Sequence, residues 1–323
     1  MKCCLIAIFI AFSFTTASAQ TYWALLYEAS SLYEKKDYAG SLKIYKKTFK
    51  HYKSGYPSHF YDAACAAVLA GEKKQAFKLL QHAIGLGYSN AAHIESDKNW
   101  LTARESKEWS GLVARVRANV NVTPSFYDIP LREQLLTILK EDQAIRRQIG
   151  DTVKKYGFVP HPVTDSLIKY ERYIDSLHLV SVINILKTHG YPSVRSVGTD
   201  VAFVVFLVIQ HSDLGIQEQY HSLLKKAMEE GDLFPDNLAL LEDRIALRQG
   251  RKQSYGSQIG TNLKTGEQYV QPLEDPDNVD LRRAALGLEP LSDYLRIYKL
   301  SWDPVTYKRK LEQGLIENQL FGK

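Results

Sequence analysis

Lys36-Asp37-Tyr38-Ala39-Gly40-Ser41-Leu42-Lys43-Ile44-Tyr45-Lys46-Lys47-Thr48-Phe49 spaces its apolar residues three and four positions apart, which is one face of a helix. A similar phrase returns at Gly71-Glu72-Lys73-Lys74-Gln75-Ala76-Phe77-Lys78-Leu79-Leu80-Gln81-His82-Ala83-Ile84, and aligning Gly40 with Ala76 gives a period of 36. Between Tyr22 and Gly55 there is no proline, and Gly40 is the only glycine. Two antiparallel helices approach closely only where small residues meet, and Ala64 and Ala67 on one helix with Ala76 and Ala83 on the next supply them. The region from Tyr22 to about Arg117 therefore reads as helical hairpins.

Period and pattern resemble tetratricopeptide repeats, whose unit is about 34 residues and which need about three copies to bury a continuous core. Two units are clear here, the Trp-Leu-Gly signature is absent, and Gly40 stands where alanine is usual. The stretch Ile94 to Leu101, followed by Glu108 to Val113, resembles the closing turn and cap helix that follow such repeats, with Asp97 as a helix N-cap. What the resemblance implies is a scaffold that takes a protein or peptide partner. Eight of the 20 tyrosines fall between Tyr22 and Tyr61. They read either as the aromatic wall of a groove for a peptide or neighbouring domain, or as rings packing helix on helix. Lysines 35, 36, 43, 46, 47, 50 and 53 read as a solvated helix face, diluted by Glu28, Glu34 and Asp37.

The rest of the chain bounds its class. At 323 residues there is room for two or three domains, and 45% hydrophobic with 24% charged residues is ordinary for a folded soluble chain. That composition excludes a disordered tail, a collagen-like chain and a multi-span membrane protein. A net charge of +5 carries no nucleic-acid footprint. Residues 1–19 read as a secretory signal peptide: Lys2, an apolar run from Leu5 to Phe14, then Ala17-Ser18-Ala19 before a cleavage site at Gln20. The run is about half of what a membrane-spanning helix needs. Cleavage leaves 40 basic and 36 acidic residues and a single cysteine, Cys65, so no intramolecular disulfide is possible. The expected mature protein is periplasmic or secreted, does not span a membrane, and uses Cys65 as a small core residue.

Residues 20–117 are thus assigned to the repeat-like module, 118–129 with Pro124 to a linker, and 130–323 to a mostly helical domain. The fold class is mainly α with a small β-hairpin. In the domain, helices are predicted from Leu131, over Asp165–His189, over Val201–Gln210 (with a buried strand as the alternative), over Leu214–Glu230 closed by Gly231, and over Pro235–Gly250. Gln253 to Gln258 alternates like a strand, with Tyr269-Val270 as its partner across a polar turn. Glu274-Asp275-Pro276-Asp277 opens a last helix that stops at Gly287.

The run from Leu131 to Tyr294 resembles a bacterial domain family of unassigned function. The motifs that carry the likeness are Glu141-Asp142-Gln143 with Arg146, His189-Gly190-Tyr191-Pro192, Gln210-His211-Ser212-Asp213 with Gln217, Leu241-Glu242-Asp243-Arg244, Gln253-Ser254-Tyr255-Gly256-Ser257-Gln258, and Asp275-Pro276 with Arg282-Arg283. Tyr191 departs from the usual tryptophan and Ser257 from the usual threonine.

The candidate catalytic residues are His211, Asp213, Asp243 and Arg244. The candidate ligand-binding residues are Gln143, Arg146, Gln217, Gln253, Tyr255, Gln258 and Arg282. The set admits three readings: a divalent metal held by His211 and Asp213, with His221 as an optional third ligand, a general base at His211 oriented by an acid, or a buried polar network tying helices to the hairpin. No cofactor is specified. Ser222-Leu223-Leu224-Lys225 with Lys264-Thr265-Gly266 imitates penicillin-binding enzymes, but a second Ser-x-x-Lys at Ser166 shows how cheap that pattern is. Two functional readings follow: a non-catalytic exported binding protein, and a hydrolase-type enzyme of the second domain.

Overall fold

A computed structural model describes residues 21–53, 55–157, 161–262 and 265–321. The signal-peptide reading falls on residues outside these. No described helix is long and apolar enough to cross a membrane. The described residues are mainly α-helical, with one two-stranded antiparallel sheet.

Helices α1 (Tyr22–Glu34) and α2 (Tyr38–His51) form the first hairpin, and α3 (Pro57–Leu69) and α4 (Lys73–Gly85) the second. Ala64, Ala67, Ala76 and Ala83 are fully buried, as close helix approach requires. Gly40 has a local reason. Asp37 caps α2 by accepting the Gly40 N–H at 2.9 Å, and a Cβ on residue 40 would lie 2.2 Å from that carboxylate. Helices α5 (Ala91–Ser96) and α6 (Lys107–Ala118) close the module. Asp97 caps the 3₁₀ turn Lys98–Trp100 through the Asn99 N–H and also accepts the Tyr61 hydroxyl at 2.7 Å. The Cys65 thiol is buried beside it, and burial, with the Asp97 charge, pushes its pKa up, which leaves it unreactive.

After a loop pinned to α4 by Asn119, α7 (Ile129–Tyr156) and α8 (Pro162–His189) pair as two 28-residue helices. Then come α9 (Val194–Val197), α10 (Val204–His211), α11 (Leu214–Glu230) and α12 (Pro235–Arg248). The apolar run at 201–210 is a buried helix, three residues shorter at its start than expected.

One hydrophobic core runs without interruption from Tyr22 to Ile245. The seam is aromatic. Trp23 packs on Phe234 with ring centroids 4.9 Å apart and donates its indole N–H to the Leu233 carbonyl at 2.9 Å. Gly231, the left-handed cap of α11, lies against Tyr22, where a Cβ would sit 2.5 Å from the ring. Tyr22, Tyr45, Tyr56 and Tyr61 are buried, so these rings pack helix on helix, and those at the seam hold the neighbouring domain. All seven lysines between 35 and 53 are exposed.

The strand expectation for 253–258 is corrected. The strands are β1 (Ile259–Thr261) and β2 (Gln268–Val270), in the register Ile259 to Val270. Segment 253–258 is an irregular turn joined to the hairpin by a lone bridge, Gln253 to Leu273. Gly256 takes φ +74° there, and the Asp243 carboxylate takes the N–H groups a strand partner would need. A second small core under the hairpin collects Val270, Leu273, Val279, Leu291, Leu295 and Tyr307, from α13 (Val279–Leu286), α14 (Leu291–Tyr294) and α15 (Pro304–Glu312).

Candidate functional site

Helical spacing builds the site. Asp142 and Arg146 lie one turn apart on α7, Glu171 and Asp175 one turn apart on α8, and the α7–α8 pairing turns the two stripes toward each other. His211, the last residue of α10, completes the group.

Arg146 sits at the centre. Its Nη2 contacts Asp142 Oδ1 at 3.0 Å, Asp175 Oδ1 at 2.8 Å and His211 Nδ1 at 2.7 Å, and its Nη1 pairs with Glu171. Asp142 is buried, with 1% of its side chain exposed, against 25% for Arg146 and 18% for His211. Burial raises the Asp142 pKa, but hydrogen bonds and charge from His211 and Arg146 outweigh it and hold it down to about 2. Gln143 Nε2 donates to the other Asp142 oxygen at 2.8 Å, and Gln143 also lines a groove of about 630 Å³ with Leu136, Leu139, Arg147 and Phe203.

His211 Nδ1 also lies 3.1 Å from Asp142 Oδ1. A guanidinium only donates, so Nδ1 either accepts from Arg146 with the proton on Nε2, or carries a proton and donates to Asp142. One nitrogen does not do both. Either way His211 Nε2 has no hydrogen-bond partner among the described residues.

Of the candidate residues, the structure brings together Arg146, Gln143 and His211. The acid facing His211 is Asp142. Asp213 caps α11 by accepting the Ile216 N–H at 2.9 Å. Asp243 is fully engaged elsewhere: its two oxygens accept N–H groups of Ser254, Tyr255 and Ser257 and the Ser257 hydroxyl, at 2.7 to 2.9 Å. Gln253, completely buried, donates to the Gln258 and Gln271 carbonyls and accepts the Gln258 N–H. Gln258 donates to the Leu240 carbonyl, and Arg282 to the Ser254 carbonyl. The Tyr255 carbonyl accepts from buried Arg283. These residues form a scaffold that fixes the turn against α12. Gln217 donates to the Gln210 carbonyl at 2.7 Å, tying α10 to α11. His221 pairs with Glu242 at 2.8 Å. Arg244 has its Nε buried and unpartnered.

Among the described residues Asp142, Asp175 and His211 offer ligand atoms within 4.8 Å of one another, a geometry that fits a metal ion. Arg146 Nη2 touches the same three groups, so the point where they converge already holds a positive charge. A dication needs Arg146 to swing away. Asp142, Glu171 and Asp175 are absent from the candidate list above; their signal was the pair of acids at i and i+4 on α8 facing the Asp142–Arg146 pair on α7.

No curated protein and no solved structure matches the chain. The N-terminal helices keep a repeat-like arrangement without matching a tetratricopeptide family model. A family model matches residues 129–305, more than half the chain and the segment that carries the whole Arg146 cluster, so the chain belongs to DUF6624, a family of unknown function.

Proposed function

We propose that this is an exported binding protein whose ligand site is the Arg146 cluster, with the tetratricopeptide-like hairpins as its scaffold and partner-docking part. The signal-peptide pattern at residues 1–19 supports export. The binding reading rests on one observation: four ionisable side chains from three helices, Asp142, Glu171, Asp175 and His211, converge on Arg146 at the edge of a hydrophobic core. Ion clusters at such positions contribute little net stability over apolar packing, so their presence supports a functional role.

Native mass spectrometry of the full exported chain, wild type beside His211→Ala, tests it. The expected result is a mature chain starting at Gln20 that carries a bound small-molecule or metal adduct, with the adduct strongly reduced in the variant. A bare wild-type chain, with His211→Ala merely less stable, overturns the binding reading. A chain retained with its first 19 residues overturns export.

A second reading is favoured by a specific observation, the partnerless Nε2 of a histidine whose other ring nitrogen faces a buried carboxylate. In it His211 is a general base positioned by Asp142 in a hydrolase-type reaction. Turnover of ester or phosphomonoester chromogenic substrates, abolished in His211→Ala, is expected. Equal rates in both chains overturn it.

A further inference from the structure

Arg244 is a half-buried cation of this region that has no hydrogen-bond or ion-pair partner among the described residues. It projects from α12, and its Nε is shut off from solvent. Arg248 lies one turn along the same helix. Its Nη1 donates to the Ser212 carbonyl at 2.7 Å, in the turn just after His211, and its Nε is also buried without a partner. Buried polar atoms are overwhelmingly hydrogen-bonded, so two arginine Nε donors one turn apart on α12, both buried and without a partner among the described residues, need an explanation.

We infer that Arg244, with Arg248 beside it and Arg146 nearby on α7, forms an oxyanion site that binds a carboxylate or phosphate group of a small ligand next to His211. The guanidinium fork matches the paired oxygens of either group, and leaving its buried Nε without a partner is costly. Burial first, then the charges of Arg248 and Arg146, push the Arg244 pKa down to about 10. His211 Nε2 is then a neutral or charged donor for a third ligand oxygen. The inference rests on the binding reading above and gives it a ligand class.

The experiment is thermal unfolding of the full chain titrated with potassium phosphate and, separately, sodium acetate, at ionic strength held constant with chloride. A ligand that binds only the folded state raises Tm in a saturable way. The expected result is a saturable rise with one of the two anions, weakened about tenfold or more in Arg244→Met. Phosphate alone acting assigns a phosphorylated ligand, and acetate alone a carboxylate. Without anion, Arg244→Met is expected to unfold at or above the wild-type temperature, since it removes a half-buried charge with no partner among the described residues. Arg248→Met gives the same loss of response should Arg244→Met not fold. No saturable rise with either anion, or a rise unchanged in both variants, overturns the inference. If both anions fail while the His211-dependent adduct persists, the oxyanion assignment falls and the binding reading stands. If the anions act and no adduct exists, the reverse holds.

Discussion

Arg146 Nη2 lies 2.7 Å from His211 Nδ1 and 3.0 Å from Asp142 Oδ1, so one guanidinium nitrogen bridges a base and the acid beside it. The three residues come from two helices whose contact depends on the α7–α8 pair being in register with α10. With Nδ1 bare, His211 accepts from Arg146; with a proton on Nδ1, it donates to Asp142. The cluster thus has two hydrogen-bonding arrangements, set by whether His211 Nδ1 carries a proton.

Asp142 should dominate the acid limb of stability. Its folded pKa of about 2 is below its ordinary value, so the stabilisation is present above about pH 4 and is lost as pH falls through 2. Asp142→Asn should cost about 2 kcal/mol at pH 7 and much less at pH 2. Urea unfolding at several pH values measures this; a pH-independent difference contradicts the assignment.

Asp232 should act with the opposite sign. It accepts the Val194 N–H at 2.9 Å, but burial, opposed by that bond, raises its pKa to about 6. A raised carboxylate contributes stability below its unfolded value near 4, and that contribution disappears as pH rises through 6. Asp232→Asn should therefore raise Tm at pH 8 relative to wild type and have little effect at pH 4. A destabilised variant at pH 8 would show that the bond to Val194 outweighs burial.

The aromatic seam predicts a single unfolding unit. Gly231 holds φ +90° under the Tyr22 ring, so Gly231→Ala combines left-handed strain with a steric clash and should cost roughly 2–4 kcal/mol. Because the core is continuous across the seam, Trp23 fluorescence and far-UV circular dichroism should report one coincident transition in wild type. Two separated transitions in wild type would contradict a shared core.

Asp243 should behave as a fold residue. Asp243→Asn puts an amide against N–H groups that need an acceptor and should cost about 2–4 kcal/mol. It should loosen amide protection at Ser254, Tyr255 and Ser257 in hydrogen exchange. Unchanged protection at those amides would free Asp243 for the chemical role first assigned to it.

Much of the helical plan was local and therefore readable. Asp213 ahead of Leu214 and Gly231 after Glu230 bound α11 at the expected residues, because caps act within one turn. The alanines of α3 and α4 announced their close approach for the same reason. The expected strand at 253–258 failed because an acid eleven to fourteen residues upstream takes its N–H groups, and period-two alternation carries no trace of such a partner.

Helix positions, the hairpin period, the left-handed glycine caps and the motifs of the second domain were all set by short-range spacing along the chain. Tertiary structure alone decided that Asp142 rather than Asp213 or Asp243 faces His211, that Arg146 takes the centre of three acids, and that Arg244 has no counterion among the described residues. The contacts from α7 to α8 and α10 join residues 25 to 69 positions apart. Their distances follow from how helices pack in three dimensions, which spacing along one helix does not encode.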